Sequence, residues 1–442
     1  MRATLLAGLV LAGLAAVAPP GALAQEPPPL SPLTERSAPS AEAPAEAPSL
    51  TLAECFALAL KRSETLAIQQ EMIAASEGRF LQALGTALPS VSFVSSDTRQ
   101  DGSGGSAFTL RHVPNRRFTF TQPLFSGFKE FAAMRGARAE RHQRRYLKTR
   151  AQHMLFVDVA DAYFLVIEQR QDLSALEATR LALEERLGEL HERERLGRSR
   201  ASEVASAEVQ LRRTEAEMEL VRSQVTTATH LLEFLTGLSR LGALADPNQL
   251  VLTLGPEEDY VANAPARPDV RAAEEAWHVA QQEVRVARAG FFPTADVEGN
   301  YYVDRAGVAK DVTWDAVLTV DVPLFEGGRN LGAVREARAA EREAKLAFEL
   351  AGREAALDIR DVHAKLDAEL TRRAALQRAV EAAEENYRLQ SDDYRRSLVN
   401  NLDVLQALET LQASRRDVIQ SSFEVKRLYE QLQAATGDVQ LP

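Results

Sequence analysis

The chain has 442 residues and a formal net charge of −11, from 52 Lys and Arg against 63 Asp and Glu. The basic residues are interleaved with acidic ones along helix-like stretches, which excludes the clustered basic patch that a nucleic-acid partner requires. Cys55 is the only cysteine, so an intramolecular disulfide is excluded, and we interpret Cys55 as a buried residue of an amphipathic helix.

The first residues have the pattern of a secretory signal peptide. A basic start precedes an apolar run at 5–17, and Ala22 and Ala24 supply the small residues of a cleavage site. A membrane anchor is the alternative, but the run is short for a spanning helix and a proline pair ends it. We therefore predict a signal peptide at 1–24. The Pro-, Ala-, Glu- and Ser-rich segment at 25–49 predicts a disordered linker.

The remainder of the chain contains an internal repeat. PLFSG at 123–127 returns as PLFEG at 323–327, and the offset of 200 residues then holds without insertion or deletion as far as Gly237 and Gly437. Loops commonly gain or lose residues between the copies of a repeat, whereas packed helices keep their length. The constant offset therefore predicts a rod of fixed length. The predicted organisation is a first repeat at 50–237, an equatorial connection at 238–267, a second repeat at 268–437 and a tail at 438–442.

Each copy has three predicted parts: a helix, a pair of strands and a long helical hairpin. Period-two alternation marks the strands most clearly at 313–322, where Trp314 and Leu318 share one face and Asp315 lies on the other. No proline interrupts 127–197, and one continuous helix of that length would run about 105 Å. The predicted β-hairpins span 90–125 and 294–323, and the predicted α-hairpins span 127–237, with a tip near 197–202, and 327–437, with a tip near 397–402.

The repeated junction is where we expect each second strand to stop and each long helix to begin. Pro123 and Pro323 are expected to end the ladder because proline has no N–H, and Gly127 and Gly327 relax the backbone at the corner. Strands with one apolar and one polar face suit a membrane β-barrel. The four strands of one chain are too few, because the smallest such barrels have about eight, so other subunits must complete it.

In order and spacing these features resemble the TolC family of outer-membrane efflux channels. The resemblance runs from Leu50 to Gly437 and rests on TLAECFALALKRSETL, on the two junctions, and on the hairpin ends RLGRSRASEVASA and YRRSLVNNLDVLQA. It implies a mainly α fold with a small β part, assembled as a homotrimer. Each subunit would give four strands to a shared 12-stranded transmembrane β-barrel and its hairpins to a periplasmic α-barrel. The connection at 238–267, with 50–61 and the C-terminal end, would form a belt around the middle.

The resemblance also implies a function. The chain would be a passive, gated exit duct in the outer membrane of a Gram-negative bacterium, serving small-molecule efflux or type I protein secretion. Its partners would be a periplasmic adaptor protein, an inner-membrane pump and outer-membrane lipid. No cofactor is implied, because the energy comes from the pump.

Candidate residues at the hairpin tips follow from the same resemblance. Asp403 matches the family's gating aspartate, Glu203 the acidic residue of the first hairpin, and Tyr394 a tyrosine that tethers the closed hairpin. The second acidic position of the gate is Gln406, and the basic partner of the tyrosine falls at Val399. A compatible alternative is that both acids cap the helices that leave the tips. The residues expected to contact the adaptor are Gly197, Arg198, Ser199, Leu398, Val399 and Asn400.

The sequence carries no signature of an enzyme. Seven histidines are scattered without metal-ligand spacing, and a nucleophile elbow, a phosphate loop and a dinucleotide fingerprint are all missing.

Two other classes of protein remain as alternatives to the channel. A periplasmic adaptor would have one hairpin beside a compact β-rich domain, and the strand alternation argues against a purely structural coiled coil. A cation preference is predicted from the acidic side chains of the polar strand face, Asp296, Glu298, Asp304, Asp315 and Asp321.

Overall fold

The computed structural model describes residues 49–246 and 254–439. Four parts of the predicted organisation lie outside the described residues: the signal peptide at 1–24, all but the last residue of the linker at 25–49, part of the equatorial connection (247–253) and the end of the tail (440–442).

Long helices dominate the described residues. Two of them have 67 residues and two have 36, and a 67-residue helix runs about 100 Å. None of the described helices combines the length and the apolarity needed to cross a membrane. The predicted mainly α fold with a small β part and an internal repeat is confirmed. In chain order the elements are α1 (Leu52–Arg62), α2 (Glu64–Gly85), β1 (Ser90–Arg99), β2 (His112–Ser126), α3 (Lys129–Arg195), α4 (Ala201–Thr236), α5 (Glu257–Val261), α6 (Pro268–Ala289), β3 (Thr294–Arg305), β4 (Trp314–Asp321), α7 (Arg329–Arg395) and α8 (Asn401–Thr436).

The four strands form one antiparallel sheet in the order β1-β2-β3-β4. The register places Phe93 opposite Phe118, Phe118 opposite Tyr301, and Tyr301 opposite Trp314, so one aromatic row crosses all four strands. All four of these side chains are exposed. Because side chains alternate between faces, the opposite face carries the polar residues of the same strands.

Hydrogen bonds connect the polar face across three strands. Thr119 donates to Asn300 at 2.8 Å, and the Asn300 amide donates to Asp315 at 3.0 Å. Basic residues that the sequence analysis did not place on this face lie among the acids. The Arg116 guanidinium lies 3.4 Å from a carboxylate of β3, and Arg117 pairs in register with β3. These arginines partly offset the acidic charge of the face. The preference of the channel for cations stays a prediction.

The two strand-to-helix junctions differ. β4 ends at Asp321, before Pro323. The expectation that Pro123 ends β2 is wrong, because the ladder continues to Ser126 past an irregularity in the register. Proline is tolerated there because a β-bulge releases one strand position from the ladder. Gly127 follows with φ +67°, and a Cβ at this position would lie 2.9 Å from the carbonyl oxygen of Ala289, so no other residue fits without rearrangement.

The helices meet around a core at mid-height, where α1 packs on α3 and α4. Phe56, Tyr163 and Phe164 are fully buried there with Cys55. The Tyr163 hydroxyl donates at 3.0 Å to the carbonyl of Leu50 and also to the carbonyl of Ala245. The hydroxyl thereby contacts both segments of the isolated parallel β-bridge between Leu50 and Leu244. Burial and the neighbouring Glu54 raise the pKa of the Cys55 thiol to about 11.

Ion pairs join the two repeats along the contact between α3 and α8. Arg416 contacts both carboxylate oxygens of Asp172, at 2.6 and 2.8 Å, and also Glu217 of α4. Arg427 donates from Nη1 to one oxygen of Glu168 at 2.5 Å. Both α3 carboxylates are buried, so each depends on its arginine.

Candidate functional site at the hairpin tips

The two hairpins turn with the same backbone geometry. Residues 196–200 connect α3 to α4, and 396–400 connect α7 to α8. Gly197 and Ser397 lie in the left-handed region, with φ +71° and +60°, and in each turn the next amide donates to the carbonyl five residues earlier. A serine in that conformation is disfavoured relative to glycine, so the second turn is held in shape by its surroundings.

The ends of the hairpins expose leucines and arginines together. Of the six predicted adaptor contacts, Gly197, Arg198, Leu398 and Asn400 are exposed, and Ser199 and Val399 are half-buried. Leu196, Leu398 and Leu402 are each more than 60% exposed, whereas Arg198, Arg200 and Arg396 have no carboxylate within ion-pair distance in the described part of the chain. We call these last six residues the tip surface: Leu196, Arg198, Arg200, Arg396, Leu398 and Leu402.

The two acidic candidates occupy equivalent positions in the first turns of α4 and α8. Asp403 accepts from the backbone N–H of Asn400 at 3.1 Å, and the Asn400 side chain accepts from the N–H groups of Leu402 and Asp403, which completes a capping box. Glu203 accepts from the Ser199 hydroxyl at 2.5 Å. Asp403 therefore has the helix-capping role, whereas the Glu203 carboxylate accepts no hydrogen bond from the backbone at the start of α4. The gating role of both acids stays a prediction.

Tyr394 is buried in the last turn of α7, with 5% of its surface exposed. Two guanidinium groups of α3 lie over its ring. The central carbon of Arg186 is 3.8 Å from the ring centroid and that of Arg193 is 4.6 Å from it. The predicted partner position, Val399, instead packs on the apolar cluster around Tyr394. The basic partners of the tyrosine thus come from the other hairpin.

Arg186 also connects to the start of α8. Its Nε donates to the Asn401 side-chain oxygen at 3.0 Å, and the Asn401 amide donates to the backbone carbonyl of Glu203 at 3.2 Å. Asn401 is 1% exposed. Sequence reasoning missed both residues, although the seven-residue spacing of Arg186 and Arg193 does indicate that they share one face of a helix.

Apolar packing supports these polar contacts. A cluster of buried residues from α3, α4, α7 and α8 surrounds Tyr394, so the second hairpin lies against the first down to its tip. Its members besides Tyr394 are Leu183, Leu190, Val204, Ala207, Leu211, Val404, Leu405 and Leu408.

Known proteins share this architecture. The outer membrane protein TolC of Vibrio cholerae serotype O1 is 23% identical over 299 residues, which cover 65% of this chain and 68% of TolC. The crystal structure of CusC matches with a TM-score of 0.80 at 17% identity, over 88% of this chain and 92% of CusC. That of VceC from Vibrio cholerae matches with a TM-score of 0.78 at 21% identity, over 87% of this chain and 96% of VceC. These likenesses establish the fold.

The family assignment comes from the sequence of both repeats. Residues 56–238 and 264–438 match the model of the family described as outer membrane efflux protein. The matched segments contain both long hairpins and all four strands, and together they form most of the chain. The chain therefore belongs to the outer membrane efflux protein family: it is an efflux channel of the outer membrane with a periplasmic extension, and not an enzyme.

Proposed function

We propose that three copies of this chain form the gated exit duct of a tripartite efflux or type I secretion machine. The duct is passive and opens at its periplasmic tip when an adaptor protein and an inner-membrane pump dock there. The observation that carries this proposal is the pair of hairpins with equal helix lengths, which end in matching turns. One duct of fixed length needs both hairpins to reach the same level.

The edges of the sheet support assembly from several copies. In the described residues β1 and β4 each pair with one neighbour and leave the other edge open. An open edge is not tolerated in lipid, because its N–H and C=O groups have no partners there. Three copies joined edge to edge supply twelve strands, enough to close a barrel, whereas one copy has half of the roughly eight that the smallest barrels need.

The helices offer matching edges below the sheet. α7 exposes Leu346, Leu350 and Leu357 along one side. These positions are four and seven residues apart, so they form one apolar stripe. α2, which packs on α3 at the same height, exposes Ile68 and Met72. A neighbouring copy that brings its α2 against α7 buries both sets.

The tip surface supports docking. Exposed leucines favour burial against a partner, and arginines without local carboxylates favour a partner that supplies acidic groups. The occupant we propose is an adaptor whose docking end has apolar side chains flanked by carboxylates. The predicted contacts Gly197, Arg198, Ser199, Leu398, Val399 and Asn400 lie on or beside this surface.

The gate of the proposed duct is formed by Asp403, Glu203 and Tyr394. Three copies of one carboxylate around a narrow axis attract cations and repel each other, so their charge sets both selectivity and the ease of opening. The junction residues Pro123, Gly127, Pro323 and Gly327 lie at the opposite end, where strand gives way to helix.

Single-channel conductance of purified trimers in a planar bilayer tests the proposal. We expect small, mostly closed currents from the wild type and larger ones from Asp403→Ala. Asp403→Asn removes the charge and keeps an oxygen for the helix cap, so it separates the gate from the cap. Asp417→Asn, an exposed carboxylate on the same helix, is the matched control and leaves the currents unchanged. Folded trimers that conduct no current contradict the duct.

A further inference from the structure

The start of α3 and the end of α6 form a cleft of about 350 Å³ at the edge of the sheet where the strands give way to helices. Three phenylalanines and three arginines line most of it, and we call these six residues the junction cleft: Phe128, Phe131, Arg135, Arg285, Arg288 and Phe292. We propose that the junction cleft binds an anionic phospholipid of the membrane leaflet that faces the periplasm. The proposal rests on the placement of the sheet in the membrane, which belongs to the proposed duct.

The arginines of the junction cleft lack acidic partners. Arg135, Arg285 and Arg288 are exposed, and none of them has a carboxylate within ion-pair distance in the described residues. The Arg285 guanidinium donates to the neutral side-chain oxygen of Gln282 at 3.2 Å. The carboxylate of Glu130, in the first turn of α3, is buried and already accepts from a serine hydroxyl. Guanidinium groups bind phosphate through parallel hydrogen bonds, so three of them on two adjacent helices match the phosphate of a lipid headgroup.

The phenylalanines of the junction cleft supply an apolar wall. Phe128, Phe131 and Phe292 are each about half exposed or more, and apolar side chains exposed together mark a surface that binds an apolar group. The two helices approach closely here, because a Cβ at Gly127 would lie 3.0 Å from the Cβ of Phe292. The aromatic and the basic side chains therefore line one space. A molecule with an anionic head and an apolar body fits both sets.

The junction cleft adjoins the aromatic face of the sheet. Phe125 of β2 pairs with Ala295 of β3, and cross-strand partners point to the same face. Ala295 lies six residues before Tyr301 on β3, so both belong to the face with the exposed aromatic row, since side chains alternate with a period of two. The Phe125 ring meets the Phe128 ring edge to face, with the centroids 5.2 Å apart. The face that the proposed duct turns to lipid therefore continues into the junction cleft, at the edge of the sheet where lipid headgroups lie.

Phe128 holds an unfavourable backbone conformation. Its φ is +63°, in the left-handed region, where a side chain is disfavoured relative to glycine. The equivalent residue of the second repeat is Gly328, with φ +88°. Strained residues cluster at binding sites, so the backbone at this corner favours a role for the ring itself.

α2, the counterpart of α6 in the first repeat, has leucines where α6 has arginines. When the prolines that follow the two helices are aligned, Arg285 and Arg288 correspond to Leu81 and Leu84. Basic side chains are therefore not a general feature of the helices at this height. This favours a ligand of the junction cleft over a general attraction to the membrane surface.

Native mass spectrometry of the purified full-length protein in detergent tests the proposal, and the mass of the trimer in the same spectra reports assembly. The probes are phosphatidylglycerol, phosphatidylcholine with the same acyl chains, and inorganic phosphate. We expect the wild type to bind one phosphatidylglycerol per copy, and phosphatidylcholine about tenfold more weakly. Arg285→Gln with Arg288→Gln is expected to weaken phosphatidylglycerol binding by about tenfold or more, because each basic residue beside an anionic lipid contributes roughly a factor of five. Phe128→Gly relieves the backbone and removes the ring, so we expect it to keep the trimer and to weaken the binding of both lipids.

Arg335→Gln with Arg338→Gln is the matched control and is expected to bind phosphatidylglycerol as the wild type does. These two arginines are also exposed and three residues apart, but they lie near the start of α7, outside the junction cleft. Equal losses in the two double variants overturn the proposal in favour of general surface charge. Equal binding of the two lipids overturns recognition of an anionic headgroup, and inorganic phosphate that binds as tightly as phosphatidylglycerol overturns the lipid in favour of a free anion. Trimers that bind no lipid and still conduct in planar bilayers overturn the lipid site and leave the duct, whereas trimers that conduct no current contradict the duct itself.

Discussion

The two 67-residue helices, α3 and α7, begin and end 200 residues apart, yet they occupy different places in the molecule. α3 has 19 buried residues and packs against α1, α2, α4, α6 and α8. α7 has six buried residues and packs chiefly against α6 and α8. The repeat therefore preserves backbone length and turn geometry, while the contacts make one helix interior and the other an edge.

The same asymmetry extends to the tips. The position equivalent to Tyr394 in the first hairpin is Glu194, and the position equivalent to Arg186 in the second is Asn386. The first hairpin supplies the cations and the second supplies the ring and the buried amide. The two hairpins are thus complementary to each other and not interchangeable.

If α7 is an edge that another copy covers, a charge placed on it should prevent trimer assembly, which is the largest of the expected effects. Leu357→Arg places a cation on the stripe of exposed leucines, and desolvating it against a neighbour costs several kcal/mol. We expect trimers to be lost, as measured by light scattering of the detergent-solubilised protein. Leu398→Arg, at an exposed leucine of the tip, is the control and retains trimers. Unchanged assembly of Leu357→Arg contradicts the edge role of α7.

The two tips are compared by charge reversal. Arg198→Glu with Arg396→Glu is expected to abolish export in cells, because it turns attraction to an acidic partner into repulsion. Trimer content and single-channel currents remain those of the wild type. The single variants report how much each hairpin contributes, and Arg213→Glu, on the exposed side of α4 away from the tips, is the control. Full export by the double variant contradicts a basic docking surface.

The repeat made the fold class predictable from the sequence, because constant spacing over long helices survives where single motifs are weak. A local feature such as the capping box of Thr51 and Glu54 is readable from a sequence, since it depends on residues three apart. Arg186 and Asn401 were not predictable as partners, because 215 residues separate them and only packing brings them together. The course of β2 past Pro123 was missed for a similar reason, as a β-bulge is set by the neighbouring strand.

The ion pair between Asp172 and Arg416 is a further test of the difference between the repeats. The position equivalent to Asp172 in the second repeat is Arg372, and that equivalent to Arg416 in the first repeat is Ala216, so the pair has no counterpart. The hydrogen bonds with Asp172 raise the pKa of the Arg416 guanidinium. Arg416→Met leaves a carboxylate that is 3% exposed without its partner, which we expect to destabilise the protein by about 3–5 kcal/mol in chemical unfolding.

A double variant separates the pair from the buried charge. Asp172→Leu with Arg416→Met removes both partners, and replacing a buried ion pair by apolar groups is often nearly neutral. We therefore expect it to recover most of the stability that Arg416→Met loses. Equal losses in the single and double variants contradict the explanation by an unpaired buried carboxylate.

The smallest predicted effect comes from a residue whose environment differs between the repeats. Glu430 of α8 is half-buried, whereas His230, the equivalent residue of α4, is exposed. Burial raises the pKa of Glu430 from 4.5 to about 7. A carboxyl group with a raised pKa favours the folded state while it is protonated. The stability that it contributes is present below pH 4.5 and is lost as the pH rises toward 7.

Glu430→Gln removes this titration, since glutamine stays neutral at every pH. We expect the variant to exceed the wild type in unfolding free energy by roughly 2–3 kcal/mol per protomer at pH 8 and to equal it near pH 4.5. Thermal unfolding of the solubilised trimer at the two pH values measures the difference. Glu409→Gln, an exposed glutamate of the same helix, should leave the pH dependence unchanged. A stability gain for Glu430→Gln that is the same at both pH values contradicts titration of Glu430, because a packing effect does not depend on protonation.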